Sequence, residues 1–198
     1  MSHYFSEKQE TPLNLRKVKA LLRKHEFDFF SGSGVFSKDH IDKGSVLLVN
    51  SVSIRDGWNV LDLGCGIGVV GVVVKKLFPT TKILCTDVNK RAITLTQMNF
   101  TLHKLEAEVR LSNSFEKIPE RFDTIIVNPP QKAGKDVCFS MIEQSKEHLS
   151  EGGLLQLVAR HQKGGKELEK KMKEVFGNVE TLAKGGGYRV YCSANRML

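Results

Sequence analysis

The chain has 198 residues, enough for one α/β domain with a small extension, and 40% apolar content makes it a globular sequence rather than a disordered one. Basic residues outnumber acidic ones by 30 to 22, a formal net charge of +8. That excess predicts an anionic partner such as nucleic acid, set against the plainer reading of a lysine-rich solvated surface. No apolar run approaches the roughly 18–20 residues of a membrane span, and the polar start MSHYFSEKQE carries no signal-peptide core.

In chain order, residues 12–24 read as an amphipathic helix. Leu15, Val18, Leu21 and Leu22 recur at helical spacing, with Arg16, Lys17, Lys19, Arg23 and Lys24 on the other face. Phe27, Phe29 and Phe30 suggest a strand over 25–30, and Ser31-Gly32-Ser33-Gly34 a turn. From Ser45 a short helix is expected to about residue 52. Residues 1–55 thus form an N-terminal extension or lobe, too small to bury a core of its own.

From Asn59 strands and helices alternate. The strands are expected at 59–63, 82–87, 107–111, 122–127, 153–159, 178–182 and 187–193, with helices over 67–77, 89–103, 134–149 and 164–176. This βαβ series predicts a mostly parallel sheet with helices on both faces. Gly185-Gly186-Gly187 reads as a hairpin turn, which makes the last strand antiparallel. The second domain is therefore 56–198.

The chemistry concentrates in Val60–Gly71, VLDLGCGIGVVG. An apolar strand carrying Asp62 runs into Gly64, Gly66 and Gly68, where the chain needs positive φ and a ligand can approach bare backbone. The helix that follows presents N–H groups to an electron-rich ligand. Asp87 closes the next strand about 20 residues later, where a doubly wound sheet places the carboxylate for a ribose diol. Nicotinamide enzymes share that geometry, but G-x-G-x-G spacing, Asp62 within the strand and Asn128-Pro129-Pro130 after a later strand all point away from them. Cys65, Cys85, Cys138 and Cys192 match no zinc spacing and read as small buried residues of a reduced, cytosolic protein. The six histidines form no triad or metal pattern, so no metal is expected.

With LDLGCGIGVVG, Asp87 and IIVNPP, the chain resembles the class I methyltransferases that use S-adenosylmethionine, within them the branch acting on exocyclic amino nitrogens. SGVFS at 33–37, IDKGS at 41–45, NPP at 128–130 and GGYRV at 186–190 resemble the small-subunit ribosomal RNA guanine-N2 methyltransferases and their single-domain archaeal relatives. The resemblance implies a Rossmann-like methyltransferase sheet. The cofactor would be held by Asp62, Gly64, Cys65, Gly66, Gly68, Asp87, Val88, Ser112, Asn113 and Asn128. Asp62 would meet the ammonium, or else only stabilise the turn. Asn113 stands where the family usually has Asp, so its side-chain oxygen would accept from the adenine amine without a charge.

Asn128, Pro129 and Pro130 are the catalytic candidates. The Asn128 side-chain oxygen and the Pro129 carbonyl would hold a planar amine, on a loop stiffened by two prolines; the alternative is a merely rigid loop. Gln131 stands where many base methyltransferases place an aromatic residue. Phe36 is then the candidate to stack on the base, against plain core packing. Lys132 and Lys135 are candidates for phosphate contact, with Lys163, Lys166 and Arg189 as lesser ones. The implied partner is RNA, small-subunit rRNA or its assembly particle, in the cytoplasm. A protein glutamine methyltransferase and a non-catalytic cofactor- or RNA-binding module stay open as alternatives, as do monomer and homodimer.

Overall fold

The computed structural model describes residues 12–196; the first eleven residues of the expected extension lie outside them. The chain enters through an antiparallel hairpin, β1 (Arg16–Leu22) and β2 (His25–Ser31). The helix expected over 12–24 is therefore corrected to a strand. Val18, Ala20 and Leu22 form a period-two face, while Leu15 and Leu21, which a helix would have buried beside them, are 47% and 66% exposed. The apolar spacing fitted both periods, and pairing with the Phe-rich second strand decided between them. The turn lacks the usual Asn-Gly signature: Arg23 and Lys24 adopt φ 48° and 67°. Arg23 is held there by its backbone N–H to Asn50 Oδ1 (2.6 Å), its Nε to the Val49 carbonyl (2.7 Å) and a guanidinium bond to the Val52 carbonyl.

The short helix α1 (Lys43–Ser51) follows, capped by Asp42, whose carboxylate accepts from the Ser45 N–H. The expected alternation then appears in full. β3 (Asn59–Leu63), α2 (Val69–Leu77), β4 (Lys82–Asp87), α3 (Lys90–Leu102), β5 (Glu108–Leu111), β6 (Phe122–Val127), α4 (Lys135–Glu147), β7 (Leu149–Arg160), α5 (Lys166–Phe176), β8 (Glu180–Gly185) and β9 (Tyr188–Ala194) follow in order. The seven-stranded sheet has the order β5-β4-β3-β6-β7-β9-β8, parallel through β7, with β9 antiparallel to both its neighbours. Strand order reverses between β3 and β6, so their carboxyl ends open a crevice.

One apolar cluster joins the hairpin, α1, α2 and α3 to one face of the sheet; the other packs α4 and α5 on the opposite face. Residues before 56 share the first cluster rather than burying one of their own. Asn99 on α3 ties the hairpin to the glycine turn, bonding both backbone groups of Phe30 and donating to the Ile67 carbonyl. Gln156, buried on β7, accepts from the Ser53 N–H (2.8 Å) and donates to the Ser53 carbonyl (2.8 Å) and Thr124 Oγ1 (2.9 Å). Gln156→Ala removes the partner of the Ser53 N–H and carbonyl, while Thr124 keeps its bond to the Leu154 carbonyl, and is expected to cost about 1–3 kcal/mol in a denaturant titration, with the m-value unchanged.

Candidate active site

A cavity of about 1100 Å³ opens at the carboxyl ends of β3, β4 and β6. Leu63 pairs with Thr86 on one side and Val127 on the other, so Gly64, Asp87 and Asn128 leave adjacent strands at one level. The N–H groups of Gly64 and Cys65 both donate to the Thr86 carbonyl at 2.8 Å, which folds the turn back over β4. Gly66, at φ 58°, then directs its N–H to Asp87 Oδ2 at 2.9 Å. Asp87 Oδ1 accepts from the Asn89 N–H at 2.8 Å. The ribose candidate is thus aimed by backbone donors.

Asp62 lies one strand over and is buried. Its Oδ2 accepts from the Gly71 N–H at 3.0 Å, so it takes a first-turn donor of α2, whose preceding Gly68 provides no side-chain cap. Burial pushes Asp62 up to about 7; the Gly71 bond opposes the rise and the Asp87 charge adds to it. Burial likewise raises Asp87 to about 6, against bonds from the Asn89, Gly66 and Val88 N–H groups. Cys65 and Val88 also line the cavity, while Gly68 closes against Thr96. Past β5, Ser112 Oγ donates to the Ser114 carbonyl and accepts from the Lys117 N–H. Asn113 spends its amide nitrogen on Glu116 (2.7 Å), and its side-chain oxygen has no protein partner among the described residues.

Asn128 follows β6 with its amide nitrogen bonded to Ser45 Oγ (3.0 Å) and Asp42 Oδ2 (3.3 Å); its Oδ1 has no protein partner among the described residues. The Pro129 carbonyl accepts from the Gln131 N–H at 2.8 Å across an inverse γ-turn at Pro130 (φ −75°, ψ 74°), which leaves it one further lone pair. Gln131 has a local task. It donates to the Lys163 carbonyl (3.0 Å) and accepts from the Arg160 N–H (3.2 Å), tying this loop to the one after β7. Phe36 lines the cavity and is 40% exposed. Lys132 and Lys163 line it too. Lys135 lies over the Phe139 ring and faces a smaller cavity of about 230 Å³ between α4 and α5; Lys166 and Arg189 line neither.

Sequence reasoning missed Asp42, Ser45, Arg160 and Tyr188 as cavity residues. The letters IDKGS and GGYRV carried the signal for Asp42, Ser45 and Tyr188, without a chemical role attached; Arg160 lies in neither motif. The four cysteines are free and buried, and among the described residues no His, Cys, Asp and Glu cluster is placed to hold a metal ion. No described helix is long and apolar enough to cross a membrane.

The profile of the methyltransferase small domain family matches residues 26–192. The chain belongs to that family. It is 34% identical to YbxB of Bacillus subtilis, over 95% of this chain and 96% of that protein. To ribosomal RNA small subunit methyltransferase C of Haemophilus influenzae it is 36% identical, over 86% of this chain and 52% of that protein. A T. thermophilus 16S rRNA N2 G1207 methyltransferase, solved in complex with AdoMet and guanosine, superposes with a TM-score of 0.81 at 25% identity, over 96% of this chain and 52% of that one. The chain therefore spans nearly all of the Bacillus relative and about half the length of the two rRNA enzymes. The likeness extends to the antiparallel strands at the sheet's end, so the expected Rossmann-like methyltransferase fold stands.

Asp62 and Asp87 hold protons in the folded chain at a pH where the unfolded chain, at the usual carboxylate value of 3.8, has lost them. Their contribution to the stability of the free protein is present below that value and falls away as pH rises through about 6 and 7. Thermal melts across that window should show Asp62→Asn flattening the decline.

Proposed function

We propose that this chain transfers a methyl group from S-adenosylmethionine to the exocyclic amino nitrogen of an RNA base, guanine N2 of small-subunit rRNA. The observation that carries the reading is the juxtaposition of Asn128 Oδ1, which has no protein partner among the described residues, and the Pro129 carbonyl with the glycine turn, across one cavity. The names of the rRNA relatives and the charge of +8 support RNA as the substrate.

The residues present fit the cofactor. A buried carboxylate, Asp62, and a half-buried one, Asp87, both raised by desolvation, face one cavity, and a ligand bringing a cation and a vicinal diol would restore what desolvation removes. Asp87 accepts from both ribose hydroxyls, Asp62 pairs with the ammonium, and Asn113 Oδ1 accepts from the adenine amine. Gly64, Cys65 and Gly66 give the methionine portion close backbone approach. Bound there, S-adenosylmethionine supplies a methyl group on a sulfonium, which leaves as a neutral thioether without acid assistance.

The chain then has to align the nucleophile. A guanine amino group is a poor nucleophile because its lone pair is conjugated with the ring. Asn128 Oδ1 and the Pro129 carbonyl accept its two N–H bonds, turn the lone pair toward the methyl group and stabilise the positive charge that develops on nitrogen, which then releases one of these protons to water. Pro130 and the γ-turn keep both acceptors in place. Phe36 stacks on the extruded base at the cavity mouth. Lys132 and Lys163 contact phosphates there, and Lys135 extends the basic edge along α4. Residues 1–55 serve as the substrate-side lobe and 56–198 as the cofactor domain of a cytoplasmic enzyme.

Labelled methyl transfer to RNA, with none to protein, is the expected result when the chain is offered both from cells that lack it; label in protein alone would sink the RNA reading. Asn128→Ala should lower turnover by about 10²–10³, the scale of losing one preorganised polar contact, with calorimetric cofactor affinity unchanged. Cofactor affinity should rise with pH through about 6 and 7, since Asp87 and Asp62 must be ionised to bind.

A further inference from the structure

The motif Ile41–Ser45 meets Asn128, and Tyr188 of the last hairpin meets that motif at Asp42, an arrangement with a chemical consequence. An amide side chain is nearly symmetric in shape, and either its oxygen or its NH₂ can face the cavity. Only the oxygen can accept from an amine. Something must therefore choose the rotamer, and the neighbours of Asn128 do so by their hydrogen-bonding capacity. The Asp42 carboxylate only accepts. Its Oδ2 takes the Ser45 N–H at 3.0 Å and the Asn128 amide nitrogen at 3.3 Å, and its Oδ1 takes the Tyr188 hydroxyl at 3.2 Å. Arg160 Nε donates to that same hydroxyl at 2.9 Å, directing its proton to Asp42. Ser45 Oγ offers the amide a second acceptor at 3.0 Å. A flipped Asn128 would set its carbonyl oxygen against the carboxylate, acceptor facing acceptor. The space is also tailored to the pair: a Cβ on Gly44 would lie 2.8 Å from both Asp42 Oδ2 and Tyr188 Cε1.

We infer that Asp42 is a positioning residue for methyl transfer: its carboxylate fixes the amide of Asn128 so that Oδ1 faces the substrate amine, with Ser45 and Tyr188 completing the clamp. The inference rests on the role given to Asn128 above. It separates Asp42 from its other task, capping α1, because serine caps a helix as well as aspartate does. Asp42→Ser keeps the cap, but its single hydroxyl can accept from an amide NH₂ or donate to an amide oxygen, so the choice of rotamer is lost.

Steady-state methylation of RNA from cells lacking the protein, with thermal melts of each variant, tests it. Asp42→Ser should lower kcat roughly ten- to hundredfold, the size expected for losing a hydrogen bond to a charged group. KM for S-adenosylmethionine and the melting temperature should stay at wild-type values. Asp42→Ala should lose both kcat and melting temperature, and Tyr188→Phe should lower kcat less than Asp42→Ser. If Asp42 were a cap and nothing else, Asp42→Ser would turn over like wild type; that result, with Asn128→Ala inactive, overturns this inference alone. Full turnover by Asn128→Ala would remove the reading beneath it as well.

Discussion

The parallel pairing of β3 with β6 is the constraint on which the molecule depends. It sets Leu63 beside Val127, so the two chains leave the sheet together. One goes directly into a glycine turn that needs positive φ, the other into Asn-Pro-Pro, where two prolines fix φ and stiffen the chain ahead of the short 3₁₀ turn Gln131–Ala133. Because strand order reverses at this pair, no crossover helix fills the space above it. Everything else at the site is attached to that opening: Asp87 from the neighbouring strand, Asp42 from the cap of α1, Tyr188 from the antiparallel edge.

The polar groups are layered around the opening. Asp62 sits deep and Asp87 is half-buried beside it, each partly satisfied by backbone N–H groups and each raised by desolvation, a combination that favours a cationic ligand over bulk solvent. Asp42 lies between them and the surface, its oxygens taken up by Ser45, Asn128 and Tyr188. Arg160, Lys132 and Lys163 line the outer wall. The inside is built to accept and the outside to attract anions, which a small cationic cofactor and a polyanionic substrate would require of one cavity. Gln131 belongs to this arrangement as a brace: where an aromatic residue would reach toward a base, its amide instead holds the loop that carries Arg160 and Lys163.

The sheet was legible from Asn59 onward because its signals are local. Apolar runs flanked by glycine and proline mark strand ends whatever the rest of the chain does, and the Gly185–Gly187 turn showed the antiparallel finish. The N-terminal hairpin was not legible. RKVKALL satisfies both periods, and its turn uses Arg23 and Lys24 at positive φ, a conformation held by contacts to Val49, Asn50 and Val52 rather than by residue type.

By itself the sequence determined the two motifs that meet in the crevice, since a glycine turn and an Asn-Pro-Pro loop each carry their geometry in a few consecutive residues. Asp87 could be placed for the same reason, by its fixed distance from the turn. Only the tertiary structure decided which way Asn128 faces. Its partner Asp42 is 86 residues away, and the tyrosine behind that carboxylate is 146 residues from it. Which atom of an amide points inward depends on whether its neighbours donate or accept, and folding alone brings those neighbours together.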